Sequence, residues 1–195
     1  ATTWGFPGFA GQVEPADDEL ARRMRAAGAI FIGHSNMPEF GLGSHTFNEL
    51  YGNTFNPYDL SKTPGGSSGG AAVALAADLL PLADGSDLGG SLRNPASFCN
   101  VVGFRPSMGR MPFNRGFGWF GRMVTTGPMA KNVRDAALMF SIIAGPDDGD
   151  PLTLSEPGIT FLDALTPMDV QELNGLRVAF STDLGSLAID PEVAL

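Results

Sequence analysis

Apolar residues fall along this chain in short blocks separated by glycine, proline and polar turns. Leu20, Met24 and Ala27 share one helical face, and Arg22, Arg23 and Arg25 mostly lie elsewhere. That spacing predicts an amphipathic helix. Asp17-Asp18-Glu19, after Pro15, suits the positive end of its dipole, and Gly28 supplies a stop. Ala29-Ile30-Phe31-Ile32 is wholly apolar, as expected of a strand buried on both faces. It ends at Gly33-His34-Ser35-Asn36. A helix, a short loop and a buried strand predict the α/β class.

Further blocks extend the pattern. Residues 41–64 are polar and irregular, with turn signals at Asn53 and Asn56-Pro57. Ala71 to Leu80, almost wholly Ala, Val and Leu, predicts a buried, tightly packed helix. An apolar stretch follows Arg93 and Pro95 as far as Phe104. Asn132 predicts the cap of a helix whose Val133, Ala136, Ala137 and Phe140 face inward and which ends near Gly145-Pro146. Residues 147–174 read as a surface connection and Leu176–Phe180 as a strand. Asp190-Pro191-Glu192 reads as a helix start. Phe113, Phe117, Trp119 and Phe120 in a Gly- and aromatic-rich stretch line a pocket or cover the core. No internal repeat is visible.

Composition narrows the function classes. A length of 195 residues, 43% hydrophobic and 17% charged, fits one substantial core. The net charge of −9 disfavours nucleic acid, where affinity comes mainly from Lys and Arg. No apolar run suffices to span a membrane. The single cysteine, Cys99, stands among apolar neighbours and reads as core; a lone thiol fits a reducing compartment such as the cytoplasm.

The candidate chemistry lies in two Gly/Ser-rich turns, Gly65–Gly70 and Gly85–Ser91. The first admits three rival readings. A flexible linker would have this composition, but a buried-looking helix follows it. A phosphate nest would need the Gly-Lys-Ser/Thr of a P-loop. A nucleophile elbow fits Gly65-Gly66-Ser67-Ser68-Gly69, but needs a preceding strand and a later histidine. Both histidines, His34 and His45, come earlier. The second turn offers consecutive backbone N–H groups with little obstruction, as an oxyanion hole needs. Ser91 at its end is placed to attack, given a base. Asp87 and Arg93 flank it as an ion pair. A tight glycine turn with an ordinary serine is the alternative.

Together these segments resemble the amidase signature family. Gly65–Gly70, followed by Gly85-Ser86-Asp87-Leu88-Gly89-Gly90-Ser91-Leu92-Arg93-Asn94-Pro95, matches its defining stretch, including the Ser67–Ser91 spacing. Ala96–Ser107, Gly127–Ala130, Val133–Ala137 and Gly175–Phe180 are similar to the segments that follow. The resemblance implies an α/β fold with a mixed β-sheet core sandwiched between α-helices. The chain would be a single incomplete domain over residues 1–195, its signature region at about residues 62–110, because family members extend further at both ends.

The resemblance also implies a Ser–cis-Ser–Lys triad, with no metal or cofactor. Ser91 is then the nucleophile, and Ser67, after a cis peptide from Gly66, relays the proton. The N–H groups of Leu88, Gly89, Gly90 and Ser91 form the oxyanion hole, with Ser68, Asp87 and Arg93 in support. The family lysine is expected in a Gly-Lys-Thr/Ser-Asn segment, where this chain reads Gly33-His34-Ser35-Asn36. His34 is therefore expected at the base position, where imidazole is already largely neutral near pH 7. The expected activity is hydrolysis of small-molecule carboxamides through acyl-Ser91 by a stand-alone amidase, with a homodimer as one possible assembly. The alternative is an impaired or non-catalytic family member, because His34 replaces lysine.

Overall fold

Asp18 starts the first helix by accepting from the Ala21 N–H at 2.8 Å, which gives α1 (Glu19–Ala26). Leu20 and Met24 face its core side, and Gly28 at φ +87° ends it as predicted. The computed structural model describes residues 2–113, 123–163, 165–166, 174–183 and 185–192. They fall into two units, Ala1–Leu165 and Thr166–Leu195.

In the first unit, a short hairpin pairs β1 (Phe47–Asn48) with β2 (Gly52–Asn53). The remaining elements are α2 (Gly69–Ala76), β3 (Leu82–Asp87), α3 (Arg93–Phe98), β4 (Val102–Gly103), β5 (Thr125–Ala130), α4 (Val133–Ile143) and α5 (Thr160–Asp163). Three strands form a sheet in the order β3-β5-β4, with both pairings antiparallel. β3 and β4 therefore run the same way on either side of β5, and α3 connects them. Alternate residues of β3 serve opposite faces. Leu82 packs with Leu20, Met24, Met139, Phe140 and Ile143 of α1 and α4. Ala83 packs with Ala71, Ala72, Leu75, Ala96 and Met129, the cluster of α2 and α3. The sheet is thus sandwiched between helices, as the resemblance implies.

Several elements differ from those predicted. Ala29–Ile32 joins no ladder among the described residues, and Ile30 and Ile32 are 90% and 75% exposed. Its apolar composition sets a β preference, but a strand forms only against a partner. Leu176–Phe180, in the second unit, is likewise unpaired and exposed. Gly85 and Ser86 belong to β3, so the second turn is only Leu88–Ser91. Strand β5 went unpredicted, because Gly127-Pro128 reads as a breaker. The α2 helix starts two residues before Ala71 and stops at Ala76, with Asp78 at φ +59°. Val133 of α4 is exposed, and Met139 and Ile143 take the inward places with Ala136 and Phe140. Phe117, Trp119 and Phe120 lie outside the described residues.

Glu19 ties α1 to the rest. Its carboxylate accepts from Arg22 and Arg23, and Arg23 also donates to the carbonyls of Ile143, Gly145 and Pro146 at the end of α4. The Arg22 guanidinium, against the opposing effect of burial and with help from Arg23, lowers the Glu19 pKa from 4.5 to about 2. A depressed carboxylate stabilises the fold fully above its unfolded pKa, and that contribution fades as pH falls towards the folded value. Acid unfolding of wild type is therefore expected to include a step between pH 4.5 and about 2 that Glu19→Gln lacks. Superimposable acid-unfolding curves from circular dichroism would contradict this.

Candidate active site

The first turn, Gly65–Gly70, is buried throughout, which excludes the linker reading. It precedes α2, not a domain boundary, and the Gly66–Ser67 peptide bond is cis, as the resemblance implies. No local side chain caps α2. Two distant groups do so instead: the Gly69 N–H donates to Thr46 Oγ1 at 3.1 Å, and the Gly70 N–H to the Asn36 carbonyl at 3.2 Å. Only glycine fits at these two positions. A Cβ on Gly69 would lie 2.2 Å from Thr46 Oγ1, and one on Gly70 would lie 2.4 Å from the Asn36 backbone.

The second turn follows β3 and is organised by Asp87, which is fully buried. Its Oδ1 accepts from the Gly90 N–H at 2.8 Å and its Oδ2 from the Leu92 N–H at 3.1 Å. Arg93 grips both carboxylate oxygens, at 2.9 and 3.0 Å, and Arg105 Nε lies 3.3 Å from Oδ1. Burial works to raise the Asp87 pKa, but Arg93 and the two backbone donors outweigh it and hold the carboxyl below its usual value. The expected pairing of Asp87 with Arg93 is present, and Arg105 joins it, a participant that its sequence position in a connecting segment did not reveal.

The two turns meet. The Ser68 N–H donates to the Ser91 carbonyl at 3.3 Å, and Ser68 Oγ joins Ser86 by a donated bond of 3.4 Å and an accepted one of 3.3 Å. Ser67 is 3% exposed and Ser91 half-buried, and neither hydroxyl is hydrogen-bonded among the described residues. The backbone N–H groups of Leu88, Gly89 and Ser91 also make no hydrogen bond there. Gly90 is a correction to the expected oxyanion set: its N–H is already given to Asp87. Two hydroxyls and three amide donors, none hydrogen-bonded among the described residues, thus stand on adjoining turns, a set of groups that suits attack on a carbonyl and stabilisation of the resulting oxyanion.

His34 is not joined to the relay serine here. It is exposed, lies outside regular secondary structure and forms no hydrogen bond to Ser67. Residues 30–35 are exposed and carry no regular secondary structure. His45 instead meets Thr63 Oγ1 at 3.1 Å. Cys99 is buried, and that burial pushes its thiol pKa up to about 11, which makes it a poor nucleophile. A groove of about 520 Å³, lined by Pro38, Leu42, Ser44, His45 and Phe47 among others, adjoins the first turn through Ser44 and His45, which pack on Gly66; neither serine lines it. Among the described residues, no three His, Cys, Asp or Glu side chains converge to hold a metal.

Known proteins share this framework. The Amidase family model matches residues 1–195. An acylamidase of Rhodococcus erythropolis is 42% identical over 192 residues, which are 98% of this chain and 39% of the acylamidase. A glutamyl-tRNA(Gln) amidotransferase component of Syntrophobacter fumaroxidans is 40% identical over 193 residues, 99% of this chain and 39% of that protein. The crystal structure of a bacterial aryl acylamidase of the amidase signature family superposes with a TM-score of 0.70 at 37% identity, covering 74% of this chain and 30% of that one. The chain thus spans about two-fifths of the curated relatives it matches.

Proposed function

This chain belongs to the amidase signature family, and from that premise we propose that it carries the nucleophile, proton relay and oxyanion donors of a carboxamide hydrolase. The observation that carries this reading is the bond from the Ser68 N–H to the Ser91 carbonyl, which joins the turn of Ser67 to the turn of Ser91, whose N–H groups at Leu88, Gly89 and Ser91 are unspent among the described residues. Ser91 Oγ attacks the amide carbon and passes its proton to Ser67 Oγ as Ser67 gives up its own to the group at the base position, which the resemblance assigns to His34. The N–H groups of Leu88, Gly89 and Ser91 hold the oxyanion. The C–N bond then breaks, the leaving nitrogen takes a proton back through Ser67, and water releases the acid from acyl-Ser91 by the same relay. Asp87 does not touch the reacting atoms; it positions the donors.

The proton leaving Ser67 needs an acceptor, and the sequence aligns His34 with that role, although no hydrogen bond joins the two in this structure. Removing a general base costs about 10²–10⁴-fold in rate. His34→Ala is expected to show a loss of that size in steady-state assays, with a histidine-like pKa lost from the pH profile. Near wild-type turnover in that variant would remove His34 from the role of base.

We assign small-molecule amides as substrates of a stand-alone enzyme. Met108-Gly109-Arg110-Met111-Pro112 stands where tRNA-dependent members of the family carry Tyr-Gly-Arg-Val-Ser, and the charge of −9 disfavours a nucleic-acid partner. The test is release of ammonia or amine from aliphatic and aromatic amides by the full-length protein purified alone. Turnover that appears only with added partner proteins and tRNA would overturn the stand-alone reading.

A further inference from the structure

We propose that Thr46 is a positioning residue for the relay serine, a role that rests on the assignment of Ser67 as proton relay. Thr46 is 2% exposed and lies on the residue before β1, far from both signature turns in sequence. Its hydroxyl donates to the Gly65 carbonyl at 2.9 Å and accepts from the Gly69 N–H at 3.1 Å. These two bonds close the loop on either side of Ser67, whose own carbonyl lies 3.5 Å from the same oxygen. One hydroxyl thus uses both its donor and its acceptor capacity on the backbone that aims the relay.

The hydroxyl is itself held. The Thr46 carbonyl accepts from the Thr54 N–H at 2.9 Å, across the hairpin. Thr54 Oγ1 accepts from Asn36 Nδ2 at 2.9 Å, and the Asn36 carbonyl receives the Gly70 N–H. Asn36 Oδ1 in turn accepts from Asn48 Nδ2 at 2.6 Å. Thr46 and Asn36 therefore fasten consecutive amides at the start of α2 from one hydrogen-bonded frame. Ser67 Oγ has no hydrogen bond of its own to fix it among the described residues, so its direction depends on this loop. An imprecisely aimed relay slows chemistry more than it weakens substrate binding.

The test compares Thr46→Val, which keeps the shape and removes both bonds, with Thr46→Ser, which keeps the oxygen. Both are made in the full-length protein and assayed per mole of folded enzyme, with folding checked by circular dichroism and gel filtration. Thr46→Val is expected to lower kcat by about 10–100-fold while KM stays within about threefold, and Thr46→Ser to restore kcat to within about threefold of wild type. Folded Thr46→Val with wild-type kcat and only a lower Tm would overturn the inference and leave Thr46 a structural residue. If Thr46→Val does not fold, Thr46→Cys, a weak donor and acceptor, is expected to show a smaller loss in kcat, and wild-type kcat in that variant overturns the inference equally. Ser91→Ala run alongside separates the two levels. Absence of Ser91-dependent turnover in wild type removes the hydrolase reading and this inference with it. Ser91-dependent turnover that ignores Thr46 removes this inference alone.

Discussion

Replacing Ser91 with alanine is expected to lower kcat for amide hydrolysis by about 10⁴-fold or more and to leave the fold intact. The first part follows from chemistry. Ser91 is the attacking atom of the proposed mechanism, and without it no acyl-enzyme forms. Oxyanion donors alone leave only a small residue of catalysis. The second part follows from packing. Ser91 is half-buried and its hydroxyl bonds to nothing among the described residues, so losing one oxygen leaves no orphaned partner. The bond from Ser68 uses the Ser91 backbone carbonyl, which alanine keeps. Ser67→Ala is expected to be comparably damaging. The double variant should be no worse than the more damaged single one, because both serines act in one proton path. Steady-state kinetics beside thermal unfolding would check all three. Retention of even a tenth of wild-type turnover by Ser91→Ala would remove Ser91 from the role of nucleophile.

Asp87→Ala is expected to cost about 3–5 kcal/mol of stability, read from the shift of the urea unfolding midpoint. The carboxylate is fully buried and serves two guanidinium groups and two backbone N–H groups. Its removal strands the Gly90 and Leu92 N–H groups and the buried Arg105 Nε, whereas Arg93 still reaches water. Asp87→Asn keeps the volume but turns one acceptor into a donor, facing groups that only donate. It is expected to lose both stability and kcat, because the Leu88–Ser91 turn is held by these bonds. Arg93→Ala should cost less, since Arg93 is largely exposed and Arg105 remains beside the carboxylate. The same site sets an acid limit. The Asp87 pKa is lowered in the fold, so its contribution is complete above the unfolded value near 3.8 and declines as pH falls below it. An unchanged urea midpoint in Asp87→Ala would mean that the turn holds itself.

Local residue order determined a good part of this protein. Asp18 and Asn132 cap α1 and α4 as their types dictate, since a cap needs only three or four adjacent residues. Gly28 stops α1 for the same local reason. The two Gly/Ser turns and their serines were legible because small residues are required wherever backbone must approach backbone. Contacts between distant segments were not legible. Ala29–Ile32 carries the preference of a buried strand yet joins no ladder among the described residues and leaves Ile30 and Ile32 exposed, because pairing belongs to two segments and not to one. His34 forms no hydrogen bond to Ser67 although its place in the sequence aligns it with the base, since such a contact depends on how two distant segments pack. Gly90 looks like a free donor until Asp87 is seen to take it. Thr46 carries no motif at all, and only the fold brings its hydroxyl to the loop around Ser67. Sequence by itself determined which backbone could turn and which oxygens could attack. Tertiary structure decided which donors remain unspent and what holds the serines, because those depend on hydrogen bonds between residues far apart in the chain.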